Sequence, residues 1–273
     1  MEAVGRSSEG ARIFSSYNPL YSLAGLLVGM LIGLTGVGGG SLMTPLLVLL
    51  FGFHPATAVG TDLLYASVTK TVGTAVHGKE GRVEWRIVAR LAAGSIPTAI
   101  VTIFIMSRVG TLAEGAAGLL NLLLGIALLV TGVSVLFRPW ILSWAGHHIH
   151  AMDEARLRRC TVLLGATLGV LVSVTSVGAG ALGTTALLIL YPRLPVSRIA
   201  ASDIAHAVPL TLIAGTGHWL MGSVDIGLML ALLAGSIPGI IIGSVLSGRS
   251  SDAVLRPVLA VTLLVVSVRM LIG

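Results

Sequence analysis

The sequence predicts an all-α integral membrane protein with eight hydrophobic segments arranged as two repeats of four. Its composition, a glycine-rich interruption that occurs twice, and a match between the two halves of the chain predict this fold class. Hydrophobic residues make up 55% of the 273 residues and charged residues only 10%, with a mean hydropathy of +0.99. Soluble domains carry about 25% charged residues. The composition therefore indicates a protein whose partner is the lipid bilayer and not a nucleic acid.

The first hydrophobic segment, from about residue 20 to 51, contains the first interruption. Residues 33–41 read GLTGVGGGS. Glycine in a helix interior costs about 1 kcal/mol relative to alanine, so this stretch predicts two half-helices joined by unwound backbone. Inside a bilayer such backbone is tolerated only where it is buried in protein or lines a polar cavity.

A second interruption, SVTSVGAGA at residues 173–181, lies in the segment from about residue 160 to 190. It matches the first at an offset of 140, which becomes 141 further along the chain. Paired glycine-interrupted segments in corresponding halves point to the substrate site of a secondary transporter. At these offsets the matching residues include Thr35 with Thr175, Gly38 with Gly178, Gly40 with Gly180, Asp62 with Asp203, His77 with His218, and the GSIP motifs at 94–97 and 235–238.

We expect four regions along the chain. Residues 1–19 form a polar N-terminal tail, 20–137 the first membrane repeat, 138–159 a basic loop containing histidines, and 160–273 the second membrane repeat. A four-residue spacing of small residues predicts close packing between membrane helices. That spacing links Gly25, Gly29 and Gly33, and also Gly235, Gly239 and Gly243.

Each interrupted segment, at about thirty residues, either crosses the bilayer as a kinked helix or forms a re-entrant hairpin. Sixteen Lys and Arg residues, Lys70 excluded, split 11 to 5 between the two sides if both segments cross and 12 to 4 if both are re-entrant. The loop at 77–90 carries four basic residues, whereas its counterpart at 218–231 carries none. Positive charge stays cytoplasmic, so we favour inverted repeats, each with three crossings and one hairpin, and both termini outside.

The interruptions are the predicted anion site. The start of a half-helix exposes backbone N–H groups at its positive end, and glycine removes side chains that would keep an anion away from them. The alternative is that the glycines only allow helices to cross. The candidate substrate-binding residues are Thr35, Gly38, Gly39, Gly40, Ser41, Lys70, Thr175, Gly178 and Gly180.

Lys70 is the basic residue that lies deep in a hydrophobic segment, eight residues after Asp62. A charge at the centre of a bilayer costs at least about 2.5 kcal/mol, so its side chain should face the bundle interior. Lys70 is then either the counter-charge of an anionic substrate or a lysine paired within the bundle.

Asp62 and Asp203 lie at equivalent places near the start of their segments. Each either caps its helix N-terminus or titrates and couples transport to protons. His206 follows Asp203 by three residues, on the same helix face. The equivalent His77 and His218 lie near segment ends and are either protonatable gates or ordinary interfacial histidines.

No metal, cofactor or enzymatic activity is expected. His147, His148 and His150 have no Cys, Asp or Glu at ligand spacing before Asp153. The sequence lacks an H-E-x-x-H motif and a G-x-S-x-G elbow.

The glycine-rich interruption, the VGTD turn at 59–62, the two GSIP motifs and the two-fold repeat resemble the TauE/SafE-type sulfite exporter family over roughly residues 20–272. This resemblance implies a multi-pass carrier of the bacterial cytoplasmic membrane that moves small sulfur-containing anions, such as sulfite or sulfonates, outward. The second interruption departs from the first, reading SVGAGA where the first reads GVGGGS. The alternatives to a carrier of sulfur-containing anions are a passive anion channel lined by the same interruptions and a carrier of another small organic anion. The resemblance leaves open whether the protein is a homo-oligomer.

Overall fold

The computed structural model describes residues 19–35, 42–79, 81–109, 116–148, 153–246 and 252–272. These ranges form eleven α-helices. In chain order they are α1 Pro19–Thr35, α2 Met43–Leu49, α3 Pro55–Lys79, α4 Trp85–Val109, α5 Ala116–Leu136, α6 Arg138–His148, α7 Glu154–Thr175, α8 Ala181–Leu190, α9 Val196–Leu220, α10 Ile226–Leu246 and α11 Asp252–Ile272.

The two interrupted segments each contain two helices, α1 with α2 and α7 with α8. The expectation of a loop over residues 138–159 is wrong for most of its length. Residues 138–148 form α6, and α7 already begins at Glu154. Apolar residues Trp140, Ile141 and Leu142 favour this helix, and a proline such as Pro139 is tolerated in a first helical turn.

Five of the described helices are long and apolar enough to cross a membrane, namely α4, α5, α7, α9 and α10. Helix α3 has 25 residues but is not among them, and it contains Asp62, Lys70 and five threonines. Fourteen of its residues are buried. The composition of α3 therefore suits the interior of a bundle and not a lipid-facing surface.

Glycines bring α1 and α10 into direct backbone contact, which confirms the packing predicted from their spacing. A Cβ atom added at Gly29 would lie 2.5 Å from the carbonyl oxygen of Ser236 and 2.8 Å from its Cα. Gly25 meets Leu232 and Gly33 meets Ile240, so the two helices run parallel. Helices α4 and α7 are parallel in the same way, with Gly165 against Leu91 and Gly169 against Ser95.

Helices α3 and α9 pack antiparallel. Gly60 near the start of α3 lies against His218 near the end of α9, and Gly73 near the end of α3 lies against Ile204. Helix α3 runs parallel to α10, because Thr69 contacts Ser236 and Gly73 contacts Ile240. Since α1 is also parallel to α10, α1 and α3 point in the same direction.

The chain must therefore turn back between α1 and α3, and α2 makes this return. The ring of Tyr21, at the start of α1, lies 4.9 Å from that of Phe51, just after α2. Helices α7 and α8 also turn back on each other, because the hydroxyls of Thr161 in α7 and Tyr191 after α8 lie 2.8 Å apart. Both pairs are hairpins whose ends meet on one side.

Replacing Gly29 with leucine should destabilise the protein, because the new side chain would force α1 away from α10. Overpacking typically costs 1–3 kcal/mol, so we expect the thermal unfolding midpoint in detergent to fall by about 5 °C or more. Gly118→Leu is the matched control, since a Cβ atom at Gly118 would meet nothing within 4 Å. Equal midpoints for the two variants would contradict the close contact.

Candidate functional site

Two fully buried carboxylates lie in the interior of the bundle, Asp62 on α3 and Asp203 on the antiparallel helix α9. Each is the eighth residue of a 25-residue helix that begins at Pro55 or Val196. A helix N-cap precedes the first helical residue. The interpretation that each aspartate caps its own helix is therefore wrong.

Asp62 connects the two hairpins. Its Oδ2 accepts hydrogen bonds from the hydroxyl of Thr44 in α2, at 2.5 Å, and from that of Ser176 after α7, at 3.0 Å. Its Oδ1 has no hydrogen-bond partner among the described residues. A single carboxylate thus bonds to both halves of the chain.

Asp203 faces the start of α8. Its Oδ2 accepts a hydrogen bond from the Thr184 hydroxyl at 3.1 Å, and the backbone N–H of Gly180 also interacts with the carboxylate. Gly183 lies so close that an added Cβ atom would overlap Oδ1. As for Asp62, Oδ1 of Asp203 lacks a hydrogen-bond partner within the described ranges.

Lys70 lies between these carboxylates, and only 5% of it is exposed. Its Nζ donates a hydrogen bond to the Ala179 carbonyl in the second interruption, at 3.4 Å. It also interacts electrostatically with both carboxylates, more strongly with Asp203. We call Asp62, Lys70 and Asp203, together with the hydroxyls of Thr44, Ser176 and Thr184, the central cluster.

The second interruption is a true break between helices. Helix α7 ends at Thr175 and α8 begins at Ala181. Between them Gly178 and Gly180 have φ angles of +112° and +133°, a backbone region that residues other than glycine rarely adopt. The Thr175 hydroxyl donates to the Leu171 carbonyl at 2.7 Å and accepts from the Val177 N–H at 3.1 Å. It therefore fixes the backbone of its own hairpin.

The first interruption falls largely outside the described residues. This applies to Gly38, Gly39, Gly40 and Ser41, whereas Thr35 is the last residue of α1. Their predicted part in substrate binding stays a prediction.

The three candidate histidines are all buried. His206 lies beside the central cluster, with Nε2 at 2.8 Å from the Ser95 hydroxyl of α4. His218 donates from Nε2 to the Ser173 carbonyl at 2.9 Å. His77 and His218 are 6% and 1% exposed and pack inside the protein. No group of three or more metal-ligand side chains occurs in the described part of the chain, and His150 lies outside it.

Sequence reasoning missed the residues that hold the two carboxylates. Thr44 and Thr184 follow the same offset of 140 as Thr35 and Thr175, so the repeat itself contained this signal. Ser176 has no such signal, because its counterpart is Gly36. Gly183 corresponds to Met43 and likewise gives no repeated pattern.

Comparison with known proteins identifies a family and several relatives of this chain. The sequence model described as "Sulfite exporter TauE/SafE" matches residues 21–270. The chain is 38% identical over 250 residues to the probable membrane transporter protein YjnA of Bacillus subtilis (strain 168), covering 91% of this chain and 98% of that protein. It is 28% identical to the probable membrane transporter protein YdhB of the same organism, covering 89% and 96%.

A further relative is a probable membrane transporter protein of Xylella fastidiosa (strain Temecula1), 29% identical over 84% of each chain. No solved structure matches the chain. The family and the names of these relatives indicate a membrane transporter rather than an enzyme. The match over residues 21–270 and the 38% identity to YjnA show that this chain belongs to the TauE/SafE sulfite exporter family.

Proposed function

We propose that this protein is a secondary transporter that exports small sulfur-containing anions, such as sulfite or sulfonates, across the bacterial cytoplasmic membrane, coupled to the proton gradient. The observation that carries this proposal is the central cluster, in which Lys70 lies buried beside the second interruption. A buried cation near the middle of a bundle is costly unless it has a partner or a function.

The surroundings of Lys70 suit a small anion. Helix α8 starts at Ala181, so its positive end faces the cluster, and Gly180 and Gly183 leave the backbone there uncovered by side chains. The hydroxyls of Ser176 and Thr184 are further donors in the central cluster, bonded to Asp62 and Asp203 respectively. We place the substrate between Lys70 and the interruptions, including the predicted residues Gly38, Gly39, Gly40, Ser41 and Gly178.

As part of the same proposal we infer inverted repeats, and the helix packing supports them. Helices α3 and α9, offset by 141 residues, are antiparallel, as expected for equivalents related by an axis in the membrane plane. In the repeat, α1 corresponds to α7 and α10 corresponds to α4. The pair α1 and α10 is parallel, and so is the pair α7 and α4. With both hairpins re-entrant, twelve of the sixteen basic residues other than Lys70 fall on the face of the α3–α4 loop. That face is then cytoplasmic.

Efflux of labelled sulfite from proteoliposomes tests the proposed function, with sulfonates, sulfate and thiosulfate as competitors. Export of sulfite that a sulfonate inhibits supports the proposal, and protein-free liposomes give the background. A carrier should also exchange internal labelled anion for external unlabelled anion, whereas a passive channel gives net flux without this acceleration. Efflux no faster than the background would contradict the proposed substrate class.

Matched cysteines test the proposed topology. Trp85 and Ile226 are the exposed first residues of α4 and α10, at an offset of 141. In a Cys160→Ser background, an impermeant maleimide added to intact cells should label Ile226→Cys at once. It should label Trp85→Cys only after permeabilisation. Labelling of both variants from the same side would contradict inverted repeats.

A further inference from the structure

The central cluster contains more negative than positive side chains. Its ionisable groups are Asp62 and Lys70 on α3 and Asp203 on α9. His206 and Tyr65 also lie near, on α9 and α3, whereas α8 has no ionisable side chain. When both aspartates are ionised, the three charged groups sum to a negative charge before any substrate arrives. An entering anion then increases that excess in a site that water does not screen.

Ionised Asp203 also interacts with the same donor groups that would bind a substrate anion. Its carboxylate accepts from the Thr184 hydroxyl at 3.1 Å and interacts with the N–H of Gly180 at the start of α8. It is also the stronger electrostatic partner of Lys70. A substrate anion and an ionised Asp203 therefore compete for the same hydroxyl, backbone dipole and ammonium group.

The two aspartates differ in the groups that their ionised forms engage. Asp62 accepts two hydroxyl hydrogen bonds, at 2.5 and 3.0 Å, from different hairpins, and neither donor lies in α8. Asp203 accepts from Thr184 of α8 at 3.1 Å and also interacts with the N–H of Gly180 and with Lys70. A proton on Asp203 therefore removes the charge that competes with an anion for Lys70 and the start of α8, whereas a proton on Asp62 leaves that competition in place.

On this basis, and resting on the proposed function, we propose that the anion and a proton bind this site together, with Asp203 as the proton carrier. A proton from solution attaches to Oδ1 of Asp203, the oxygen without a described hydrogen-bond partner. The Lys70 ammonium group and the backbone N–H groups at the start of α8 then bind the anion in place of the Asp203 carboxylate. The new O–H of Asp203 can also donate a hydrogen bond to the anion. The proton leaves with the anion on the opposite side of the membrane.

This linkage determines whether the proton and the anion cross the membrane in the same direction or in opposite directions. A proton that raises anion affinity is itself bound more tightly in the presence of the anion, by the same factor. Transport is therefore symport, electroneutral for one proton and one monoanion. Export then requires an outward anion gradient larger than the inward proton gradient, and an inward proton gradient alone drives uptake.

Affinity for methanesulfonate tests the inference, because the charge of this anion stays constant over the pH range used. Between about pH 7.5 and pH 5.5 the wild-type affinity should rise at least about fivefold. Asp203→Asn should keep the high affinity at both pH values, and an inward proton gradient should no longer drive uptake in this variant. Asp225→Asn, which changes a carboxylate at the start of α10 outside the cluster, should behave as wild type.

Proton movement in wild-type proteoliposomes gives a second measurement that needs no variant. A pH-sensitive dye in the lumen should report acidification when methanesulfonate enters. Wild-type affinity without pH dependence, unchanged pH dependence in Asp203→Asn, or luminal alkalinisation would overturn the symport proposal while leaving anion transport intact. If neither methanesulfonate nor sulfite binds or moves at any pH, the proposed function itself fails.

Discussion

Replacing Lys70 with methionine should abolish anion transport while the protein still folds and inserts. Lys70 is buried between two carboxylates and donates to the Ala179 carbonyl. Methionine fills a similar volume but carries no charge. Removing one partner of a buried charged interaction typically costs 2–5 kcal/mol, so transport should fall by about 100-fold or more. Efflux from proteoliposomes at matched protein density measures this loss.

Two further lysine variants separate charge from packing. Lys70→Arg keeps the charge but has a larger planar head, so we expect partial activity. Lys79→Met removes a lysine from the exposed end of α3 and should leave efflux unchanged. Size-exclusion profiles and thermal midpoints of the three variants check folding. Wild-type efflux in Lys70→Met would show that the lysine serves only the structure.

The sequence predicted the elements of the fold because hydropathy and glycine act locally. The second interruption occurs where its glycines predict it, with positive φ angles at Gly178 and Gly180. Spaced glycines also predicted close helix contacts, because a missing side chain is visible in the sequence. They did not predict the partner, since Gly29 packs against Ser236 of the other half and not against its own.

The candidate site was predicted only in part, for a similar reason. Lys70, Asp62 and Asp203 were found because a charge in an apolar segment is conspicuous on its own. The donor Ser176 lies 114 positions from Asp62, and only the folded chain brings them together. Helix α6 was not predicted from the sequence, because its arginine and histidines are typical of a loop. Its apolar residues nevertheless allow a helix.

Replacing Gly183 with alanine is the other change from which we expect a large loss of transport. Gly183 lies in the first turn of α8, against the carboxylate of Asp203. The added methyl group would overlap Oδ1 and lie 3.1 Å from Cγ and 3.3 Å from Oδ2. Either α8 or Asp203 must therefore move, and the hydrogen bond from the Thr184 hydroxyl lengthens or breaks.

Misplacing a positioned group by about 1 Å can cost a factor of 10², so we expect the efflux rate of Gly183→Ala to fall below about a tenth of wild type. The thermal midpoint should change little, because alanine raises helix propensity and offsets part of the steric cost. Gly78→Ala is the control, since an added Cβ atom at Gly78, in the last turn of α3, meets nothing within 4 Å. Gly178→Ala tests the same hairpin through its backbone, because a φ of +112° disfavours alanine. If Gly183→Ala transports sulfite at the wild-type rate, the contact between α8 and Asp203 does not take part in transport, and the anion site must lie nearer the first interruption.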